Sequence, residues 1–269
     1  MSRPDSFGRE IAELYERHFV PLIFEPYAVD LAARAVRCAP TRVLELAAGT
    51  GVVTRHLARS LPASTELIAT DLSQAMLDTA AAMGTVRPVT WRQADALQLP
   101  FDDQQFDLVI CQFGVMFFPD KAKAFAEARR VLRPGGTWLF NVWDRLEENE
   151  FVAVIQGALD QMFPVDPSHF MERTPHGYFD QTVIATALRD GGFERAPAFT
   201  TVTARSRAES ARVAAIAYCQ GTPLRAELEA RAPGRLEAMT EFVAGALAQR
   251  FGQGPVDGQI QAHVVSVQR

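Results

Sequence analysis

The chain has 269 residues, and its 27 lysines and arginines against 32 aspartates and glutamates give a formal net charge of −5. Hydrophobic residues make up 48% of the chain and charged residues 22%, a composition that argues against a fibrous or disordered protein. The mild acidity gives no support for nucleic-acid binding, and a chain of this length can bury a core without disulfides or metals.

The sequence shows no pattern typical of a secretory signal or of a membrane-spanning helix. The N-terminal stretch MSRPDSFGREIAELYERH is charged from residue 3 and lacks the apolar region of a secretory signal. The apolar run from Leu108 to Phe118 is interrupted by Gln112 and is shorter than the ~20 residues that a membrane span needs. We therefore expect a soluble cytoplasmic protein with no membrane span.

The three cysteines indicate neither a disulfide framework nor a zinc site. Cys38, Cys111 and Cys219 are odd in number, lie far apart and form no CxxC pair. His169 and His176 do not have the spacing of zinc ligands, and the sequence contains no HExxH motif. We therefore expect no metal site.

The first predicted elements are helical. Residues 9–38 carry apolar and aromatic side chains at helical spacing, and Pro21 and Pro26 are predicted to break this pattern before a second stretch, Tyr27 to Arg37. Pro40 ends this N-terminal segment. Residues 1–40 are expected to act as a helical lid.

Short apolar segments alternate with helical ones from residue 42 to residue 143. The predicted strands are Arg42–Leu46, Glu66–Thr70, Val89–Gln93, Phe106–Gln112 and Thr137–Trp143. The predicted helices are Val52–Ser60, Gln74–Met83 and Lys121–Leu132, with Ser73 and Asp120 as caps and the turn Arg133-Pro134-Gly135-Gly136 as a stop. This alternation predicts a mostly parallel sheet that helices cover on both faces.

The alternation becomes looser after Trp143. An amphipathic helix is predicted over residues 151–163, a loop over 164–180 and a helix over Gln181–Asp190. Two further strands, Phe199–Ala204 and Gln261–Val267, enclose a helical segment, 208–251. We expect a single domain over 1–269, with a core at 41–143 and, at 144–269, a cap on the substrate side together with the last two strands.

A glycine turn follows the first predicted strand in the segment VLELAAGTG, Val43 to Gly51. Glycine lets the backbone approach a ligand closely, and the helix that follows directs its free N–H groups and positive dipole end toward the turn. A dinucleotide-binding turn has a third glycine three residues after the second, where this chain has Thr54. The turn alone indicates either a ligand site or a tight strand–helix connection.

Polar residues follow the next three strands. Asp71 lies 20 residues beyond Gly51, where a carboxylate can accept hydrogen bonds from ribose hydroxyls or simply cap the next helix. Asp95 ends the third strand and Gln112 the fourth. Ligands of parallel sheets bind outside the carboxyl ends of the strands, so these four strand ends together predict one crevice.

Five segments in this order resemble the motifs of class I S-adenosylmethionine-dependent methyltransferases. They are LELAAGTG, IATDLS, QADALQLPF, FDLVICQFGVMFF and EARRVLRPGG followed by TWLFNVW. The chain is most similar in pattern to the ubiquinone/menaquinone-biosynthesis methyltransferases and other small-molecule enzymes of the type 11 group. The resemblance implies a Rossmann-like α/β fold with a seven-stranded, mostly parallel sheet, an antiparallel last strand and a helical cap.

The resemblance also implies S-adenosylmethionine as the cofactor, with its methionine part at the glycine turn. Gly49, Thr50 and Gly51, with Ala47, would cradle that part of the cofactor. Glu45 would lie below it and reach the amino group or order the loop. Ala48 stands where many relatives have cysteine or glycine, and its small side chain should be tolerated.

The remaining implied contacts come from the other strand ends and from the lid. Asp71 would hold the ribose, and Leu72 and Met76 would pack on the adenine, whose edge Asp95 and Ala96 would bind. Gln112 and Phe113 would contact the cofactor near its methyl group, and Tyr15 would close over it as part of the lid.

The implied reaction is direct methyl transfer to a small organic acceptor, and no residue is predicted as its catalytic base. His18, His169 and His176 lie in segments that could cover the site, but each is expected to be a surface or packing histidine. Two alternatives stay open: an NAD(P)-dependent oxidoreductase on a related fold, and a non-catalytic protein that binds S-adenosylmethionine.

Overall fold

The computed structural model describes residues 9–269. Its strands are β1 Arg42–Glu45, β2 Glu66–Asp71, β3 Thr90–Gln93, β4 Phe106–Gln112, β5 Leu132–Trp143, β6 Ala198–Ala208 and β7 Val256–Gln268. Its α-helices are α1 Arg9–Leu14, α2 Glu25–Arg37, α3 Val52–Ser60, α4 Gln74–Met83, α5 Lys121–Val131, α6 Glu150–Met162, α7 Phe170–Arg173, α8 Gln181–Asp190, α9 Ala211–Gln220, α10 Leu224–Arg231 and α11 Leu236–Phe251.

The strands form one seven-stranded sheet in the order β3-β2-β1-β4-β5-β7-β6. Strands β1 to β5 pair in parallel, and β7 runs antiparallel to β5, with Trp138 opposite Val267. The Rossmann-like fold with an antiparallel last strand is therefore confirmed. Because the order reverses between β1 and β4, the carboxyl ends of these strands open a crevice.

The chain divides into two compact units. One, the sheet unit, comprises Pro26–Trp143, Tyr178–Val202 and Ala262–Arg269. The other, the helical unit, comprises the described residues up to Glu25, Asp144–Gly177 and Thr203–Gln261. Residues 1–8 of the predicted lid lie outside the part of the chain that the structure describes.

The sheet unit owes its core to the apolar strands. Leu44, Leu108, Val109 and Ile110 on the two central strands have no exposed surface. Both predicted helix caps are present, since Ser73 Oγ accepts from Met76 N at 3.5 Å and Asp120 Oδ1 from Lys123 N at 2.9 Å. These caps begin α4 and α5 immediately after the loops that follow β2 and β4.

Strand β5 begins earlier than the sequence predicts. The segment Arg133–Gly136, which was expected to be a turn, belongs to the strand, because Gly135 N donates to Arg269 O at 3.0 Å and Arg269 N donates to Gly136 O at 2.9 Å. Gly135 has a φ of 80°, and the register with β4 shifts between Phe106 and Leu108. The glycine therefore makes an irregular strand start possible.

The prolines near the N-terminus do not break the helical conformation. Pro21 lies inside a π-helical segment, Tyr15–Phe24, and Pro26 occupies the second position of α2. The helical backbone continues from one segment into the other, since Glu25 has αR dihedral angles and its N–H donates to Val20 O. The prediction of a break at both positions was wrong. The predicted loop at 164–180 contains one short helix, α7.

The helical unit has an aromatic and aliphatic core of its own. Helix α11 packs on α6 and α9, and α9 packs on the π-helical segment. The rings of Phe19 and Tyr218 meet edge to face at 5.0 Å, and those of Phe151 and Phe251 at 4.9 Å. Within residues 9–269, no helix combines the length and the apolar character that a membrane crossing requires.

Candidate functional site

The loop between β1 and α3 has an unusual backbone. Ala47, Gly49 and Gly51 adopt positive φ angles of 51°, 56° and 83°. Hydrogen bonds fix the loop to its neighbours, since Leu46 N donates to Ile110 O at 2.8 Å and Ala48 N donates to Thr70 O at 2.9 Å. A positive φ at an alanine costs about 1–2 kcal/mol, so this loop holds a strained conformation at the end of a buried strand.

Asp71 connects the end of β2 to this glycine loop. Its Oδ2 accepts the N–H of Gly49 at 2.8 Å, and its Oδ1 accepts the N–H of Ser73 at 2.8 Å. The side chain is half-buried. The carboxylate therefore lies beside the loop, as the sequence predicts, and it also orders the loop backbone.

Gly51 fits closely against the third strand. A Cβ atom at this position would lie 2.9 Å from Trp91 Cη2 and 3.1 Å from Ala80 Cβ. Both the positive φ and the close approach require glycine here. The Trp91 ring of β3 and Ala80 of α4 therefore pack directly against the loop at Gly51.

Glu45 is buried at the end of β1, with 3% of its surface exposed. Its Oε2 accepts the hydroxyl of Thr54 at 2.6 Å, and its backbone oxygen accepts the hydroxyl of Thr70 at 2.8 Å. Burial raises the pKa of Glu45 to about 8, although the Thr54 hydrogen bond and the nearby Arg55 oppose that rise. A buried carboxyl group with a raised pKa beside a strained loop indicates a functional position.

The end of β3 is exposed and lies next to the end of β2. Ala94 N donates to Asp71 O at 3.0 Å, and Asp95 Oδ1 accepts the N–H of Leu97 at 2.8 Å. The side chain of Asp95 is exposed and Ala96 is half-buried. This tight turn presents a carboxylate at the rim of the crevice.

Arg130 holds the loop that follows this turn. Its guanidinium donates to Leu99 O at 3.0 Å and Phe101 O at 2.7 Å, and it pairs with Glu127, whose Oε2 accepts from Leu99 N at 2.7 Å. The Glu127 contact raises the pKa of Arg130. The predicted third motif is thus fixed in place by residues of α5.

The end of β4 also has a constrained backbone. Phe113 has a φ of 50°, and its N–H donates to Asn141 Oδ1 at 2.8 Å. The Phe113 ring stacks on Trp143 at 3.8 Å and meets Tyr27 edge to face at 5.2 Å. The structure thus places Phe113 at the crevice, held from β5, while Gln112 is half-buried beside it.

The ends of β1 and β4 touch. A Cβ on Gly114 would lie 2.6 Å from Ala47 Cβ and 2.7 Å from Cys111 Sγ. The four strand ends predicted to form one crevice therefore lie side by side: the loop with β2 through Asp71, β2 with β3 through Ala94, and the loop with β4 through Ala47 and Gly114.

The other predicted contacts differ in exposure. Leu72 is 67% exposed, whereas Met76 is 3% exposed within α4. Tyr15 belongs to the helical unit, where its ring packs on Phe19 at 5.6 Å and Phe24 at 5.4 Å. Its role as a lid stays a prediction.

The aromatic group after β4 is only partly core. Phe113 and Met116 are buried, whereas Phe117 is 44% exposed. The reason is that residues Val115–Phe117 form a short 3-10 helix, which turns one ring outward.

Among the histidines that could cover the site, His176 is buried in the helical unit. Its Nδ1 lies 2.9 Å from Asp144 O, and burial lowers its pKa to about 4. His169 is exposed and pairs with Glu172 at 2.9 Å. These contacts fit packing and surface roles.

The sequence reasoning missed two buried partners of the site, Thr54 and Asn141. Asn141 has no exposed surface, and it is the single polar residue in the apolar run Trp138–Trp143 of β5, a pattern that could have identified it. Thr54 stands where a dinucleotide-binding turn has its third glycine, and its hydroxyl donates a hydrogen bond to Glu45.

Comparison with known proteins gives related sequences over this core. The family described as "Methyltransferase domain" matches residues 43–136. The ubiquinone/menaquinone biosynthesis C-methyltransferase UbiE of Idiomarina loihiensis is 36% identical over 126 residues, 45% of this chain and 47% of that protein. The demethylmenaquinone methyltransferase of Lactiplantibacillus plantarum is 33% identical over 166 residues, 56% of this chain and 70% of that protein. The chain thus spans about half the length of the first relative.

Solved structures share the fold over most of the chain. The YcgJ protein of Bacillus subtilis has a TM-score of 0.57 at 18% identity, with 91% of this chain and 98% of that chain covered. Phosphoethanolamine N-methyltransferase 2 of Haemonchus contortus, solved with S-adenosylhomocysteine, has a TM-score of 0.58 at 16% identity, with 100% of this chain and 59% of that chain covered.

Proposed function

Because the chain belongs to the class I S-adenosylmethionine-dependent methyltransferases, we propose that it transfers the methyl group of S-adenosylmethionine to a small organic acceptor. The observation that carries this proposal is the bond from Gly49 N to Asp71 Oδ2, which joins the glycine loop to the carboxylate after β2. One relative is named for ubiquinone/menaquinone biosynthesis and the other for demethylmenaquinone, and both names support a small organic acceptor. We also propose that the protein acts in the cytoplasm.

The residues at the crevice fit the chemical groups of that cofactor. Thr50 Oγ1 is buried and has no hydrogen-bond partner within residues 9–269, so a ligand at the loop can supply one. Asp71 and Asp95 offer carboxylate oxygens, which accept hydrogen bonds from ribose hydroxyls and from an exocyclic amine. Asp71 supplies negative charge for a cationic ligand, and Glu45 adds to it when its carboxyl group is ionised.

Each strand end has a separate role in binding. The strained loop with Gly49, Thr50 and Gly51 holds the methionine part, and Asp71 holds the ribose. Asp95 and Ala96 border the adenine, and the side chain of Leu72, which is exposed, can cover its face.

The chain accelerates the reaction by position and by exclusion of water. S-adenosylmethionine supplies a methyl group on a sulfonium, which is a strong electrophile without help from a metal. Phe113, fixed by Asn141 and Trp143, forms a rigid apolar wall at the end of β4. Alignment of two reactants in this way contributes about 7–11 kcal/mol to catalysis.

Calorimetry tests this function. The protein should bind S-adenosylmethionine and S-adenosylhomocysteine, and it should not bind NADH, because Thr54 replaces the third glycine of a dinucleotide turn. Absence of binding of either sulfur compound at millimolar concentration would overturn the proposal. Binding of NADH instead would favour the oxidoreductase alternative, and cofactor binding with no turnover on a broad acceptor panel would favour a binding protein.

A further inference from the structure

A buried pair of side chains lies directly beneath the glycine loop. Thr54 Oγ1 donates to Glu45 Oε2 at 2.6 Å, and these residues are 1% and 3% exposed. Glu45 ends β1, and Thr54 lies in the first turn of α3, so the bond closes the base of the loop that they enclose. It is a side-chain bond that ties the strand to the helix.

The charges around Glu45 come from three elements. Arg55 of α3 favours its ionised form, and Asp71 at the end of β2 disfavours it. On β4, the negative charge of Glu45 in turn raises the pKa of the buried Cys111 thiol, although burial is the larger cause. Burial is the dominant effect on Glu45 as well and favours its neutral form, which Thr54 opposes.

A ligand cation at this loop changes the balance. The loop leads into the N-terminus of α3, where the helix dipole is positive and disfavours a cation. S-adenosylmethionine carries an ammonium and a sulfonium against a single carboxylate, so it is a net cation, and negative charge near its ammonium favours binding. The Glu45 carboxylate supplies it when the proton leaves to solvent.

We propose that Thr54 is a positioning residue that holds the Glu45 carboxyl group beneath the loop and favours its ionised form, so that cofactor binding releases a proton from Glu45. This inference rests on the proposed function. The consequence is a pH-dependent affinity for the cofactor. While Glu45 is protonated in the cofactor-free protein, affinity rises with pH by up to about tenfold per pH unit. It levels off near pH 8, where Glu45 is ionised before the cofactor binds.

The test is titration calorimetry with S-adenosylhomocysteine, which keeps the ammonium, between pH 6 and pH 8.5. Each pH is measured in two buffers of different ionisation enthalpy, which gives the number of protons released. The wild type should release close to one proton at pH 6.5, and Glu45→Gln should release none from this site.

Two substitutions at position 54 separate the hydroxyl from the shape of the side chain. Thr54→Val keeps the shape and loses the bond, so affinity at pH 7 should fall about tenfold or more and the rise with pH should move to higher pH. Thr54→Ser keeps the hydroxyl and should restore the wild-type profile. The matched control is Thr70→Val. Thr70 is as buried as Thr54, but its hydroxyl donates to the backbone oxygen of Glu45, so this change should not shift the pH at which the affinity levels off.

The outcomes distinguish this inference from the function on which it rests. Tight binding without proton release, or the same midpoint in Thr54→Val and wild type, would overturn the inference alone. No binding by the wild type would overturn the proposed function and the inference together. If Thr54→Val does not fold, Glu45→Gln decides. Proton release that persists in Glu45→Gln overturns the inference, and absence of proton release in that variant supports it.

Discussion

Asp71 shows how one side chain can serve both the fold and a ligand. Its two oxygens accept backbone N–H groups from opposite sides, Gly49 and Ser73, each at 2.8 Å. The charge that would attract ribose hydroxyls therefore also keeps the glycine loop in its positive-φ conformation. Loss of the carboxylate should affect binding more than folding, because the loop has further backbone bonds.

We expect Asp71→Ala to weaken binding of S-adenosylhomocysteine about 10- to 100-fold, because bonds to a charged acceptor contribute about 1.5–3 kcal/mol. Circular dichroism should show an intact fold. The control is Asp78→Ala in α4, whose exposed carboxylate bonds only to Gln74 within the described chain. Unchanged affinity in Asp71→Ala would remove Asp71 from the site.

The sequence identifies the residues of this site better than their bonds. Gly49, Asp71 and Asp95 follow buried strands, and the rule for parallel sheets is sufficient to bring them together. The partners Thr54 and Asn141 depend on how α3 and β5 pack on β1 and β4. No local pattern carries that tertiary information, so a single hydroxyl or amide could be noticed but not assigned a partner.

At the scale of elements, the ends of β1 and β4 meet over small side chains. Ala47 and Cys111 face Gly114, and their side-chain atoms leave no space for a Cβ atom there. The two strands that form the floor of the crevice are therefore held at a spacing that glycine sets.

Gly114→Ala should lower stability by about 1–3 kcal/mol through overpacking and should also weaken cofactor binding, because Ala47 must move. Gly157→Ala is the matched control, since its Cβ would meet nothing within 4 Å on α6. That change should stabilise the protein by about 0.5–1 kcal/mol, as alanine favours a helix. Urea unfolding measures both effects, and equal stability of the two variants would contradict the steric argument.

The sequence predicted the element order well and the element ends less well. Apolar alternation identified all seven strands, but β6 and β7 extend beyond the predicted Phe199–Ala204 and Gln261–Val267. Their extensions are rich in polar residues, so the hydrophobic pattern ends before the hydrogen bonding does. At Arg133–Gly136 the turn chemistry was recognised, but pairing with Arg269 made the segment part of a strand.

At the scale of the whole molecule, stability should depend on pH through Glu45. Its pKa is about 8 in the folded protein against an ordinary value of 4.5, so the folded state retains a proton that the unfolded state loses. The resulting stabilisation is complete below about pH 4.5 and is lost as the pH rises to about 8.

The stability of the wild type relative to Glu45→Gln should therefore fall between pH 5 and pH 8, by up to about 1.4 kcal/mol per pH unit. Urea unfolding of both proteins across this range measures the difference. Glu194→Gln, at an exposed position of the sheet unit, should run parallel to wild type. If the free energy of unfolding of Glu45→Gln also changes with pH in parallel with that of the wild type, Glu45 ionises normally.

The contact between Gly51 and Trp91 has a practical consequence. The indole lies so close to the glycine loop that a single added carbon would collide with it, whereas Trp138 and Trp143 are enclosed in the protein interior. Ultraviolet emission from Trp91 should therefore respond to what occupies the crevice. The fold thus supplies a built-in optical reporter at the point where a ligand would arrive, without any attached dye.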